Sequence, residues 1–324
     1  MAYMRYYRST LNSKEQKAYD ILVDGIARRR DNISVPKITE KELERVHAAV
    51  NYDYPDFFYV DFYSYRYVIG IFHTQIEIKY TMSASEAIKI KAAIDQKAKS
   101  IALGANGLSE LETERYLNDE IRKTAVYDRV VGKEFNAQSI IGTFLDGKCV
   151  CEGFAKAFKY LADMLQLKSI IVVGESGART GELERHAWNM VRVDGESYHL
   201  DVTYNNVEYD GQGNIKYFSR AYFNLSDYEI CRDHIIDTMF NVPSCPKSRS
   251  EIAIVSSTRD LIAHLKSEEK KKTDFTEIRI TKRFEIDEII SLIRSRITPL
   301  DYFWYNRIDK YHLGDYSLLI EWAH

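Results

Sequence analysis

Hydrophobic positions in the first third of the chain fall into runs of helical period. Each run sits behind a Ser or Thr with a Glu or Gln three residues on: Ser13 with Gln16, Thr39 with Glu42, Ser83 with Glu86, and Ser109 with Glu112. That spacing lets the two side chains cap a helix start reciprocally. The first predicted helix carries Ala18, Ile21, Leu22 and Ile26 on one side; the second carries Leu43, Val46 and Val50 and ends at Asp53-Tyr54-Pro55. The third carries Ile90, Ile94, Ala98 and Ile101 and breaks at Gly104-Ala105-Asn106-Gly107, the best boundary in this region. Between the second and third, residues 57–62 and 65–80 read as strands, the latter with Ile76, Ile78 and Tyr80 alternating with Glu77 and Lys79. The Tyr-rich strands are expected to pack into a core or interface rather than line a ligand groove.

The middle of the chain changes period twice. Phe154, Phe158, Leu161 and Leu165 form one apolar stripe at helical spacing, with Ala155, Ala157 and Ala162 between them. Residues 169–174 read as a buried strand, 175–185 as a polar loop, and 186–193 and 198–203 as two strands joined at Asp194-Gly195, a strong hairpin signal. Beyond Pro243, Cys245 and Pro246, a linker, strands at 252–255, 275–281 and 316–322 alternate with helices at 258–265 and 286–297. Glu268-Glu269-Lys270-Lys271-Lys272 reads as a solvated loop, and the aromatic cluster 301–305 as a docking surface for this small unit. The expected architecture is α+β. An N-terminal α+β domain spans 1–105, a central core 106–243, and a small C-terminal βαβαβ domain 244–324.

Composition narrows the function. A chain of 324 residues with 45% hydrophobic and 29% charged positions describes a soluble globular protein with room for two or three compact units. A net charge of −3 gives no reason to expect nucleic acid or an anionic membrane as partner. No run of about 18 apolar residues occurs, and the first eleven residues are aromatic and polar without a signal-like apolar stretch. As it stands, the chain is therefore expected in the cytoplasm. Four cysteines are too few for a disulfide scaffold, and Cys149 and Cys151 lack the spaced partners of a zinc site, so neither metal nor cofactor is expected.

The candidate chemistry lies between Gly147 and Asp201. Cys151 opens the helix, where unpaired backbone N–H groups and the helix dipole favour a thiolate, the form that attacks. Gly147 and Gly153 flank it, consistent with a tight entry and with close backbone approach by a substrate. His186 and Asp201 follow on the two hairpin strands, which makes their contact geometrically plausible. Taken singly, Cys151 also fits a small packed thiol, and a lone strand histidine a structural hydrogen-bonding residue. Together they supply a nucleophile, a base and a group that holds the base in one tautomer.

These residues also carry a resemblance. Gly147, Cys151, Gly153, Phe154 and Ala155, then His186-Ala187-Trp188-Asn189, then Tyr198, His199, Asp201 and Thr203 resemble, in order, the motifs of the bacterial transglutaminase-like superfamily, the papain-related group of transglutaminases, peptide N-glycanases and microbial cysteine peptidases. The resemblance covers roughly residues 109–240, and Tyr222-Phe223-Asn224-Leu225-Ser226-Asp227 and Asp233-His234 resemble the tail that follows such a core. It implies a papain-like core with Cys151 as nucleophile, His186 as base and Asp201 as orienting acid, and makes Trp188, Gly153 and Tyr127 candidates for the substrate cleft, with structural packing the favoured reading of Tyr127. It departs at Ile141, where many relatives have an aromatic residue, and at Tyr204-Asn205-Asn206, where many have Trp-Asp-Asp.

The implied activity is acyl transfer from a peptide or side-chain amide through a thioester, protease- or transglutaminase-like, with a protein or peptide as substrate. The competing reading is a catalytically silent transglutaminase-fold binding or scaffold module that recognises a protein or peptide. Relatives of this kind are often exported, so a secreted or cell-surface location is expected if a native signal segment precedes the sequence.

Overall fold

The computed structural model describes residues 5–128, 135–177, 183–281, 286–296, 302–307 and 316–322. Two compact units emerge: Met1–Val172 with Ala187–Ser197 and Asp237–Pro243, and Val173–His186 with Tyr198–Ile236 and Ser244–His324. Among the described residues no helix is long and apolar enough to cross a membrane.

The first unit opens with α1 (Tyr6–Thr10), α2 (Ser13–Ala27), β1 (Asn32–Pro36), α3 (Glu40–Asp53), β2 (Arg66–Ile69), β3 (His73–Glu77), α4 (Ala84–Gly104) and α5 (Glu110–Thr124). The caps at Thr39, Ser83 and Ser109 form as the spacing predicts, each closed by the Glu three residues on. The start of α2 shifts by one residue. Asn12 accepts from the backbone N–H groups of Lys14 and Glu15, and Glu15 accepts from the Asn12 N–H at 2.8 Å. An Asn-x-x-Glu pair serves as well as the Ser-x-x-Gln pair beside it.

Two expected strands come out differently. Residues 57–62 carry turns and a single antiparallel bridge, Val60 to Tyr80, in place of a strand, with Phe57 and Phe58 both buried. Residues 65–80 fold into the antiparallel hairpin β2–β3, with sheet order β1-β3-β2. The reversal occurs at Gly70, whose N–H donates to the His73 carbonyl at 2.8 Å; a Cβ there would stand 3.0 Å from that same oxygen.

After α5 come β4 (Val126–Tyr127), β5 (Lys148–Cys149) and α6 (Cys151–Met164), followed by β6 (Lys168–Ser176), β7 (Glu184–Val193) and β8 (Glu196–Leu200). Helix α6 is the core of the first unit: Phe154, Ala155, Ala157, Phe158, Leu161 and Ala162 are all buried. It packs beside α5, whose Leu117 and Ile121 are buried as well. Asn189, fully buried on β7, ties strand to helix by donating to the Ala155 carbonyl at 3.1 Å and to the Ile170 carbonyl at 3.3 Å. Asp194 and Gly195 both adopt positive φ, 51° and 87°, the conformation a tight Asp-Gly hairpin turn requires.

The second unit contains β9 (Val207–Tyr209), β10 (Ile215–Phe218), α7 (Asp227–Ile230), β11 (His234–Ile236), β12 (Ala253–Val255), α8 (Thr258–Lys271), β13 (Phe275–Ile280), α9 (Ile286–Arg296), β14 (Tyr302–Arg307) and β15 (Tyr316–Glu321). A four-stranded sheet has the order β11-β6-β7-β8, and a second has the order β12-β13-β15-β14. The C-terminal segment thus gains a strand beyond the five expected elements. The run Tyr302-Phe303-Trp304-Tyr305 pairs with β15, in keeping with the strand preference of aromatic residues. Its side chains lie outside the described residues, as does the docking role expected of them. Within this unit Val255, Leu261, Leu265, Ile278, Ile280, Leu318 and Ile320 form the apolar core. Buried Glu277 pins the strand β13: its carboxylate accepts from Ser219 Oγ at 2.6 Å, the Arg220 N–H at 2.7 Å and Ser317 Oγ at 3.2 Å.

Candidate active site

The backbone before Cys151 is shaped to stop one helix and start another. A short π-helix, Gly142–Asp146, ends at Gly147 in the left-handed conformation, φ 70°, which a side chain would oppose. Strand β5 then pairs in parallel with β4, setting Tyr127 opposite Cys149. Val150 caps α6 with extended backbone and no side-chain cap bond, so the first turn begins at Cys151 itself. The thiol of Cys151 is partly exposed; that of Cys149 is sealed.

Thr143 Oγ1 lies 3.2 Å from Cys149 Sγ, and burial pushes this thiol up to about 12. Cys149 is therefore a packing residue. A brief exposure of the native protein to iodoacetamide at pH 7.5 is expected to modify Cys151 and leave Cys149 untouched until the chain is unfolded, as peptide mass mapping will read. Modification of Cys149 in the folded protein would contradict this placement.

Gly153 has a structural reason of its own. A Cβ there would stand 2.6 Å from the Ala137 carbonyl oxygen and 2.6 Å from Cys149 Cβ, so the space expected to admit a substrate is filled by the protein. Alanine in a helix normally gains about 1 kcal/mol over glycine, but overpacking against backbone costs about 1–3 kcal/mol. Gly153→Ala is expected to lower the urea midpoint of unfolding at unchanged slope. A raised midpoint would show that the surrounding backbone gives way.

The residue after the thiol is held on three sides. Glu152 accepts from Lys156 Nζ at 2.8 Å, from Asn51 Nδ2 at 3.3 Å and from the Tyr63 hydroxyl. Asn51, Tyr63 and Lys156 also line a narrow recess whose walls include Tyr54, Phe57 and Phe62. The Tyr-rich segment of the N-terminal region thus forms the wall of a recess as well as a core.

The base belongs to the second unit. His186 is buried on β7, and its Nε2 lies 2.7 Å from Asp201 Oδ2. Asp201 follows the last residue of β8 and is fully buried. Its Oδ1 accepts the N–H groups of Thr203 at 2.8 Å and Tyr204 at 3.3 Å; its Oδ2 takes the His186 ring and, at 3.2 Å, Nε2 of His234. Burial pushes the Asp201 carboxyl up, but the charge and hydrogen bond of His186, with those of His234, hold it well below the usual carboxylate range. The ring of Tyr204 stacks on that of His186, centroids 4.8 Å apart and planes 11° from parallel.

The structure thus brings His186 and Asp201 together within the second unit; Cys151 stands in the first. Tyr127 sits beside the entry to α6, partly exposed. Trp188, expected at the cleft, is 1% exposed and forms part of the buried interior of the first unit. Its indole ring is core, as large aromatic residues on a central strand commonly are.

Asp233 and His234 were not expected around the base, while Tyr204 was expected only as a departure near the cleft. Their sequence signal was slight: a departure at 204, and an Asp-His pair in the trailing segment. Two clusters among the described residues set three potential ligand atoms within 4.8 Å of one another: His186, Asp201 and His234, and His199, Asp227 and Cys245. Cysteine spacing, the criterion applied to the sequence, does not register either.

No family model and no curated protein matches the chain. Solved structures similar to it include a TGase, 16% identical over 48% of this chain and 47% of that one, with a TM-score of 0.33. A candidate cysteine protease from Cytophaga hutchinsonii is 16% identical over 41% of this chain and 52% of its own, TM-score 0.29. The periplasmic domain of TgpA from Pseudomonas aeruginosa is 13% identical over 41% and 56%, TM-score 0.26. The chain spans about half the length of these structures.

Proposed function

We propose that this chain is a cysteine-nucleophile acyl-transfer enzyme that acts on peptide or side-chain amides through a thioester. One observation carries the reading: the buried 2.7 Å contact between His186 Nε2 and Asp201 Oδ2. A carboxylate in that position fixes the tautomer and plane of the imidazole and stabilises its protonated form. It also makes Nδ1 the ring atom that exchanges a proton with the nucleophile and leaving group.

In this reaction Cys151 thiolate attacks the amide carbonyl carbon, and the carbonyl oxygen becomes an oxyanion that takes the Cys151 backbone N–H. Collapse breaks the C–N bond, His186 gives its proton to the departing amine, and the acyl group stays on sulfur. Water or a second amine, deprotonated by His186, then attacks the thioester and releases the acid or the new amide. Which of the two prevails depends on how the cleft excludes water. The fold that goes with this proposal is a papain-like core over residues 106–243, flanked by the N-terminal and C-terminal segments.

The test is acyl-enzyme trapping. The full chain is quenched in acid after brief incubation with a library of peptide amides and esters, with and without a primary amine, and analysed by mass spectrometry. The proposal expects an acyl adduct on Cys151, absent in Cys151→Ser. Absence of any adduct across the library, together with Cys151 behaving as an ordinary thiol, would favour a scaffold role.

A further inference from the structure

We propose that His234 is a positioning residue for this base: held as an imidazolium between Asp201 and Asp233, it anchors the Asp201 carboxylate and keeps the proton affinity of His186 below the value Asp201 alone would set. The inference rests on the acyl-transfer reading for its catalytic meaning, but its physical content is independent of turnover.

Both ring nitrogens of His234 face carboxylates. Nε2 lies 3.2 Å from Asp201 Oδ2, Nδ1 lies 2.6 Å from Asp233 Oδ1, and all three side chains are fully buried. Ionised carboxylate oxygens only accept hydrogen bonds, and a neutral imidazole has a single N–H. A neutral His234 would therefore turn a nitrogen lone pair against an oxygen lone pair in a buried site, at the cost of an unmade hydrogen bond. A doubly protonated ring satisfies both contacts and places one cation between two anions.

The backbone explains why the ring sits there. Strand β11 pairs antiparallel with β6, His234 opposite Ser176, and the Gly177 N–H donates to the Asp233 carbonyl at 3.1 Å. The groups facing the ring weigh against one another. Asp201 and Asp233 favour the cation. The His186 ring, centroid 5.3 Å away, opposes it, as does Arg279, whose Nη2 stands 3.8 Å from Asp233 Oδ2; His199 senses the His234 charge as well. The rings of Tyr204 and Tyr222 stand 5.6 Å and 5.7 Å away, and the Tyr222 hydroxyl donates to Asp233 Oδ2 at 2.6 Å. Burial lowers His234, but the Asp233 charge and the hydrogen bonds to Asp201 and Asp233 raise it above its ordinary value.

Two consequences follow for His186. Asp201 Oδ2 is shared between two rings, so its pull on the His186 proton is divided. The His234 cation also repels a proton arriving on His186. A base whose affinity is trimmed in this way gives its proton to a leaving amine more readily.

The three donor atoms at Asp201 also fit the composition of a divalent-ion site. Around an ion with bonds of about 2.0–2.1 Å in tetrahedral array, donors stand roughly 3.3 Å apart. The 2.7 Å separation of His186 Nε2 and Asp201 Oδ2 is instead that of a shared proton.

The experiment is ring-nitrogen NMR on the full chain labelled with 15N-histidine, followed from pH 5 to 9. The expected result is that both His234 nitrogens stay at protonated-imidazole shifts through pH 7.5, while His186 titrates separately. In His234→Gln, which retains one donor without charge, the His186 midpoint is expected to rise, its proton affinity growing about three- to tenfold. The His186-dependent limb of the kcat profile is expected to move by the same amount. A neutral His234 at pH 7, an unmoved His186 midpoint in the variant, or stoichiometric divalent metal in the purified protein would each overturn the proposal. If His234→Gln does not fold, the wild-type spectrum decides alone. An inactive protein that shows the full His186 shift would sink the enzymatic reading and support this one.

Discussion

Cys151→Ala is expected to abolish acyl-enzyme formation and to lower kcat on any peptide or amide substrate by about four orders of magnitude or more. The covalent route is lost with the sulfur, and only positioning and oxyanion stabilisation remain. Because the residue is partly exposed at the first position of α6, the same change is expected to cost less than about 1 kcal/mol of stability. Kinetics and urea unfolding on one preparation separate the two effects. Residual turnover within tenfold of the wild type would show that another group carries the reaction.

Asp201→Asn is expected to be nearly as severe in rate and far worse in stability. Asparagine can turn an NH₂ toward His186 Nε2 where a carboxylate accepted, which favours the wrong tautomer and lowers kcat by about 10⁴. The change also removes the anion shared by two buried rings, and breaking such a pair costs about 3–5 kcal/mol. The sign of the wild-type pH dependence follows. A carboxyl held below its unfolded value contributes stability that is fully present above about pH 4 and is lost as pH falls through the depressed folded value. Wild-type stability is thus expected to drop more steeply than that of the variant in the acid range, read as urea midpoints from pH 5 downward. Parallel curves would show that Asp201 carries no such linkage.

Local signals in the sequence located the parts of the structure that depend on neighbours along the chain. The start of α6 at Cys151, the caps at Thr39, Ser83 and Ser109, and the reversal at Asp194-Gly195 each follow from residues within a few positions of one another. What escaped depends on distance in sequence. His234 reaches Asp201 across 33 positions because β11 pairs with β6. Gly153 reads as room for a ligand until Ala137 and Cys149 arrive beside it. Phe57 and Phe58 have strand propensity, yet their segment keeps only a single bridge, Val60 to Tyr80, a pairing set by a partner 20 positions away. Trp188 belongs to a motif that suggested a cleft, yet tertiary packing buried it.

The proposed reaction requires Cys151 to be activated by the His186–Asp201 pair. The most direct measurement is the rate of iodoacetamide modification of Cys151 against pH, in the full chain and in His186→Ala, with exposed Cys231 changed to serine in both. An activated thiolate reacts at a near-constant rate well below pH 8, and loss of His186 returns the profile to that of a free thiol near pH 8.5. A wild-type profile that already rises near pH 8.5, unchanged by the loss of His186, would contradict it.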